Sequence, residues 1–427
     1  MNRYVTRSMA AILAAAGVTP VSANESSGRL RPTAQETVLY SFGGGADGAG
    51  SGSGVIADAS GTLYGTTVFG GPASNGDIFA LTPGQTGWTE KVLYTFSGGS
   101  DGARPLGGLV ADVKGNLYGT TFGGGDAGVG VVFKLKPTRS GYKESVLYTF
   151  SGRSDGGSPV GNLVRRKNGT LIGVATEGGA CDLCGTVFAL TPSGSGYVES
   201  TLYSFVGAGD GYLPEAGITA DKQGSIYGTT QWGGGGGGCG GGGCGTVFKL
   251  VYSNGTYTEN TLHVFHGGGD GANPAGALTV DSKTGIVFGT TQYGGANGAN
   301  GIVFTLTPAG GAYNETILHS FDGFDDGFGP MGQLLLHQKR LYGTTTGGGP
   351  TNYGTIYELK PSQTGYAFKS LYNFAGPPDG SDPEFTSLIM DANGALYGTT
   401  RSGGSKTQQC GGIGPTDGCG TVFELTH

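Results

Sequence analysis

The chain has 427 residues, 92 of them glycine, with 24 basic and 31 acidic side chains and a formal net charge of −7. An acidic surface repels phosphate backbones and anionic membranes, and the longest basic cluster, Arg165-Arg166-Lys167, reads as a solvated turn, so nucleic acid is excluded as a partner. Beyond its first residues no stretch carries the 3.6-residue apolar period of an amphipathic helix or the ~20 apolar residues of a membrane span, which leaves an all-β chain.

The N-terminus carries Arg3 and Arg7, an apolar run over residues 9–18 and the small-residue cleavage site Val21-Ser22-Ala23. That order is the pattern of a secretory signal peptide, assigned to residues 1–23. Its removal takes away two arginines and no acid, which moves the charge to 22 − 31 = −9. A lead segment over 24–37 then precedes a repeat region over 38–427.

Four phrases recur in fixed order through that region. The first is Val38-Leu39-Tyr40-Ser41-Phe42, repeated at Val92, Val146, Thr201, Thr261, Ile317 and Ser370. The second ends in Asp-x-x-Gly, as in Asp112-Val113-Lys114-Gly115, a hairpin turn in which aspartate caps backbone amides and glycine accepts positive φ. The third is Leu63-Tyr64-Gly65-Thr66-Thr67, with further copies around Gly119, Gly173, Gly228, Gly289, Gly343 and Gly398. The fourth, of the type Gly185-Thr186-Val187-Phe188, begins at Gly76, Gly130, Gly185, Gly245, Gly301, Gly354 and Gly420. Short runs of β-branched and aromatic residues between glycines fit pleated strands. Four strands per unit and seven units predict a seven-bladed β-propeller, with strands A to D running from axis to rim. For the second unit these are 108–112, 117–121, 130–135 and 146–150. A β-solenoid is the competing architecture, though its coils are shorter and it needs polar end caps.

The ring has a predicted latch. The region opens with a strand D and ends with a strand C, and the link of the type Thr191-Pro192-Ser193-Gly194-Ser195-Gly196-Tyr197 occurs only six times. The strand at 38–42 is therefore expected to complete the last blade and leave no free edge. Six cysteines fall as local pairs in equivalent B–C loops, Cys181 with Cys184, Cys239 with Cys244, and Cys410 with Cys419. In an exported chain such pairs read as disulfides; a redox Cys-x-x-Cys or a zinc site lacks the helix or neighbouring histidine it needs.

Together the four phrases, with Asp-Gly-x-x-Pro between units, resemble the tandem repeat of the choice-of-anchor GloVer-containing family over residues 38–425. The resemblance implies an exported bacterial repeat protein. Members carry assorted C-terminal anchors, whereas this sequence runs from a strand straight to Thr426-His427, so a freely secreted or periplasmic monomer is expected.

Loop lengths point to a working face. From the Leu-Tyr-Gly glycine to the glycine opening strand C the separations are 11, 11, 12, 17, 12, 11 and 22, while the rest of each unit holds at 42 to 44. Variation is confined to the B–C loops, which emerge beside the D–A links, and binding concentrates in variable loops on rigid scaffolds. On that face Phe69, Phe122, Trp232 and Tyr293 each follow a Thr-Thr pair and are candidates for stacking on carbohydrate or protein ligands, with Glu177 beside them; core packing is the alternative. Seven Asp-Gly pairs, at Asp47, Asp101, Asp155, Asp210, Asp270, Asp326 and Asp379, read first as turn chemistry that steers the chain from rim to axis, with calcium or sugar contacts as the alternative. No other cofactor is implied. Glu215 and Glu384, each after the proline that precedes strand A, could serve a glycoside hydrolase or lyase as a channel-mouth carboxylate pair; strand-start glutamates are also commonly solvated. His263, His266 and His319, on or beside outer strands, suit packing. A ligand-binding scaffold is the first functional expectation, with the glycoside-active enzyme and a structural envelope or matrix component as alternatives.

Overall fold

Each repeat folds into one antiparallel sheet with its strands in sequence order. In the second repeat, strand A is Val110–Ala111, B is Leu117–Thr121, C is Val131–Thr138 and D is Gly141–Thr149, hydrogen-bonded in that order. The computed structural model describes residues 34–427 apart from 208, 236, 406–409 and 411–417, so the signal peptide assigned to 1–23 lies outside the described residues. Among the described residues seven such sheets follow one another round a ring, a seven-bladed β-propeller rather than a solenoid. The helical content described is one 3-10 turn, Gly268–Asp270, and no described helix is long and apolar enough to cross a membrane.

The core lies between blades, and aromatic pairs define it. The phenylalanine ending each strand D packs edge-to-face on the strand C aromatic of the next blade. These pairs are Phe42 on Phe79, Phe96 on Phe133, Phe150 on Phe188, Phe205 on Phe248, Phe265 on Phe304, Phe321 on Tyr357 and Phe374 on Phe423. Centroids are 5.0–5.3 Å apart and the planes cross at 63–72°. Such pairs add about 0.5–1.5 kcal/mol each beyond area burial.

The third phrase has its glycine because of these rings. Gly228 pairs with Phe248 across strands B and C, and a Cβ there would stand 2.5 Å from Phe248 Cζ. The same approach, at 2.5–2.7 Å, recurs at the other six copies. The glycine opening strand C is constrained differently: its φ is +81 to +98° in all seven repeats, and its carbonyl accepts the amide of the strand D phenylalanine at 3.0–3.2 Å. A β-bulge in every C–D pair, as between Val146 and Tyr148, supplies the extra residue that brings phenylalanine into this position.

In blades 1, 6 and 7 the first threonine of the third phrase bonds the next blade near the axis. Thr66 Oγ1 donates to Gly107 O at 3.3 Å, Thr344 Oγ1 to Pro383 O at 3.1 Å and Thr399 Oγ1 to Ser53 O at 2.8 Å. Blade 3 reads Gly173-Val174-Ala175 and has no such hydroxyl to offer blade 4; at its other seam, Asn162 Oδ1 accepts the amide of Gly108 from blade 2 at 2.9 Å.

The latch is present. Gln35–Ser41 pairs antiparallel with Thr421–Thr426, from Gln35 opposite Thr426 to Ser41 opposite Thr421, and Phe42 N donates to Gly420 O at 3.0 Å. The strand begins at Gln35 rather than Val38, so residues 35–37 of the lead segment belong to the ring.

Three further details depart from expectation. Strand A in blade 2 is two residues long, as in blades 1, 4, 5 and 7, and Gly107 and Gly108, expected near its start, bond to adjacent blades instead. The C–D links prove to be continuations of both strands: Thr186–Ser193 and Gly196–Ser204 stay paired through Pro192 opposite Tyr197. Strand B stops pairing at Leu190, so no neighbour needs the N–H that Pro192 lacks. Arg166 does not sit in a solvated turn; its guanidinium donates to Gly224 O at 2.9 Å and Tyr257 Oη at 2.6 Å, binding blade 3 to blade 4.

Replacing Phe188 by Ala is expected to cost about 3–5 kcal/mol of unfolding free energy. Gly228→Ala should cost about 1–3 kcal/mol through overpacking. Tyr357, whose hydroxyl is buried with no hydrogen-bond partner, should gain about 1 kcal/mol as Tyr357→Phe. Urea unfolding of the three variants measures this order. Deleting residues 35–42 should lower the melting temperature sharply; an unchanged melt would show that the N-terminal strand does not latch the ring.

Candidate functional site

Strand A begins, and strand B ends, on the face where the D–A links and B–C loops emerge. There a cavity of about 250 Å³ lies on the ring axis, lined by residues from all seven blades. Its wall is small or apolar at Gly52, Leu106, Ala275, Met331 and Phe385. Besides the small hydroxyls of Ser53, Thr176 and Ser387, four longer polar side chains break that lining, Asn162, Glu177, Glu215 and Gln333. Glu177 Oε2 accepts Ser158 Oγ at 3.0 Å, and Gln333 Nε2 donates to Leu278 O at 3.0 Å, so each is oriented by a neighbour. Burial pushes the Glu215 carboxyl above the usual range.

Phe122 lines the cavity together with Glu177 and Glu215, which brings three of the sequence candidates to one place. The other rings lie elsewhere. Phe122 is the first residue past Thr121, whereas Trp232 is the second past Thr230, and the period of two along a strand turns them to opposite faces. Trp232 Nε1 donates to Gln231 Oε1 at 2.8 Å, Tyr293 is 48% exposed, and Phe69 packs against the core shared by blades 7 and 1.

Glu384 does not join Glu215 in the cavity wall. It forms an ion pair with Arg401, and beside it the Asp382 carboxyl is pushed up to about 7 by burial and by the Glu384 charge. Sequence reasoning missed Asn162 and Gln333, although a signal was there. Both occupy the position just before the strand A leucine, where other blades carry Gly54, Gly108, Gly217, Ala277 and Ser387.

The seven aspartates are each engaged at a blade seam. In five, the carboxylate accepts the hydroxyl of the strand D tyrosine seven residues earlier at 2.8–2.9 Å: Tyr40 to Asp47, Tyr94 to Asp101, Tyr148 to Asp155, Tyr203 to Asp210 and Tyr372 to Asp379. His263 and His319 take the tyrosine's place toward Asp270 and Asp326, at 3.2 and 2.7 Å. Each aspartate also accepts a backbone amide that closes its turn, as Ser97 N to Asp101 at 2.8 Å. Burial opposes ionisation of Asp101, but the Ser97 and Tyr94 bonds outweigh it and hold the carboxyl below its ordinary range. A strand D glutamate of the following blade faces most of these seams. Burial, and then the aspartate charge, push Glu36 up to about 8 and Glu90 and Glu144 to about 7.

All three cysteine pairs are bonded, Cys181–Cys184, Cys239–Cys244 and Cys410–Cys419, with Cα atoms 5.1, 5.4 and 4.9 Å apart. They close the B–C loops of blades 3, 4 and 7 on the same face as the cavity.

Fold and site define a seven-bladed repeat propeller with an axial, ligand-sized cavity. The chain belongs to the Gloeobacter/Verrucomicrobia repeat family, which matches residues 17–241 and 236–427. No curated protein matches it. Among solved structures it is similar to a protein described as an oxidoreductase (glucose dehydrogenase) from Thermus thermophilus, at 18% identity over 74% of this chain and 95% of that one, TM-score 0.45. It is also similar to one described as a 6-phosphogluconolactonase from Bacteroides uniformis, at 12% identity over 74% and 82%, TM-score 0.48. A gluconolactonase from Xanthomonas campestris shares 15% identity over 74% and 87%, TM-score 0.42. Likeness at this level sets no chemistry for the present chain.

The seams give stability a defined pH dependence. Glutamates with raised values bind protons more tightly folded than unfolded, so their contribution is full below about pH 4.5 and lost as pH rises through about 7–8. Asp101 and Asp155 act oppositely, contributing above the ordinary carboxylate range and losing this as pH falls below it. Melting temperature is expected to peak in mildly acid buffer and decline between about pH 4.5 and 8. Glu144→Gln should flatten that decline in differential scanning calorimetry; an equally steep one would disprove the assignment.

Proposed function

We propose that the protein is an exported binding propeller that takes a small neutral carbohydrate in the axial cavity. The observation that carries this reading is the convergence of Phe122 with Asn162, Glu177, Glu215 and Gln333 in a wall otherwise of small or apolar side chains. An aromatic face and a few directed amides and carboxyls suit a sugar ring, which has an apolar face and a rim of hydroxyls. At about 250 Å³ the cavity falls below the ~300–1,000 Å³ of pockets for drug-sized ligands, which favours a single sugar residue or chain end. The acidic chain and the two cavity carboxyls disfavour phosphorylated or anionic ligands. Three disulfides fit an oxidising extracellular or periplasmic compartment.

The glycoside-active alternative is less well supported. As a Glu215–Glu384 pair it fails, since Glu384 is paired with Arg401 outside the cavity wall, and of the two carboxyls lining the cavity Glu177 already accepts Ser158 Oγ.

Isothermal calorimetry against mono- and disaccharides tests the reading. A neutral sugar should bind, with affinity falling at least tenfold in Phe122→Ala and in Asn162→Ala and no turnover by the native chain. Binding that survives both substitutions would place the site elsewhere. Hydrolysis abolished by Glu215→Gln would convert the reading to an enzyme.

A further inference from the structure

The seam between blades 4 and 5 differs from the other six. Five seams join a tyrosine to the aspartate. At the seam of Asp326, histidine replaces tyrosine but the glutamate position of the next blade is Phe368, on which His319 stacks at 4.2 Å and 12°. Among the described residues only the seam of Asp270 combines a histidine with both carboxylates, His263, Asp270 and Glu315.

Their ligand atoms converge. His263 Nε2 lies 3.2 Å from Asp270 Oδ1 and 3.9 Å from Glu315 Oε1, and all three atoms fall within 4.8 Å of one another. Glu315 Oε1 is buried with no hydrogen-bond partner. The side chains are 18, 24 and 15% exposed, which leaves a path for an ion. Asp270 is fixed through its other oxygen, which accepts His266 N at 2.6 Å. The Cys239–Cys244 bridge braces that segment, since both sulfurs lie 3.2–3.3 Å from where a side chain on Gly267 would begin.

We propose that His263 Nε2, Asp270 Oδ1 and Glu315 Oε1 form a site for one divalent transition-metal ion of the zinc class. Bonds of about 2.0–2.2 Å in a tetrahedron place ligand atoms roughly 3.3–3.6 Å apart, which the 3.2 and 3.9 Å separations already bracket. An imidazole nitrogen and only three protein donors suit zinc better than calcium, which takes six to eight oxygens. The fourth position faces solvent, where the His266 ring, 66% exposed with Nδ1 3.3 Å from Asp270 Oδ2, can turn to meet the ion. The site lies at the rim, apart from the axial cavity, and stands or falls independently of the carbohydrate reading.

The test uses the tag-free full chain, titrated with zinc chloride by calorimetry and melted with and without the ion. One equivalent should bind and raise the melting temperature, in the native chain and in His319→Tyr alike. His263→Tyr installs the residue found at five other seams; it should keep its metal-free melting temperature and lose at least tenfold in zinc affinity. Glu315→Gln should lose a similar factor. No zinc binding by the native chain, or titrations of both His263→Tyr and Glu315→Gln that match it, would overturn the site.

Discussion

The aromatic pair at each seam is the contact on which the ring depends. A strand C phenylalanine must fit between a strand of its own blade and the ring offered by the preceding one, as Phe188 does between Gly173 and Phe150. That requirement accounts for three recurring features together. Glycine in strand B clears the space, a bulge in strand D advances the incoming ring, and a positive-φ glycine lets strand C start close beneath strand B. The sequence is repetitive because this one packing problem is solved again at every seam.

Repetition also limits where chemistry can sit, since a ligand site needs unequal groups. The chain departs from its repeat in two places that the structure makes local. On the axis, small residues give way to Asn162 and Gln333, joined by Phe122, Glu177 and Glu215. At the rim, His263 replaces tyrosine where both seam carboxylates remain. Blade 3 supplies much of the axial departure and Arg166 besides, and Asn162 also ties blade 3 to blade 2 through its oxygen.

Sequence reasoning reached the ring, its blade count, the latch and the disulfide pairs because each rests on phrases that recur at fixed spacing. It went wrong where an interaction crosses blades. Gly107 and Gly108 bond beyond their own sheet, and Arg166 was read as solvated because Gly224 and Tyr257 are distant in sequence. Phe122 and Trp232 looked alike beside their threonine pairs, yet a shift of one residue sends only Phe122 to the axis. Glu384 could not be separated from Glu215 until Arg401, in the B–C loop of the same blade, was seen to hold it.

The latch joins residues more than 380 positions apart, Gln35 opposite Thr426. Until that pairing forms, six blades can assemble by local hairpins while the seventh waits with an open backbone edge and the Phe42 ring uncovered. Closure is thus a long-range step imposed on otherwise local assembly, and topology of that kind slows folding. In the interval the exposed edge of one chain can accept the N-terminal strand of another, so domain exchange between copies is the misassembly to which this architecture is most open.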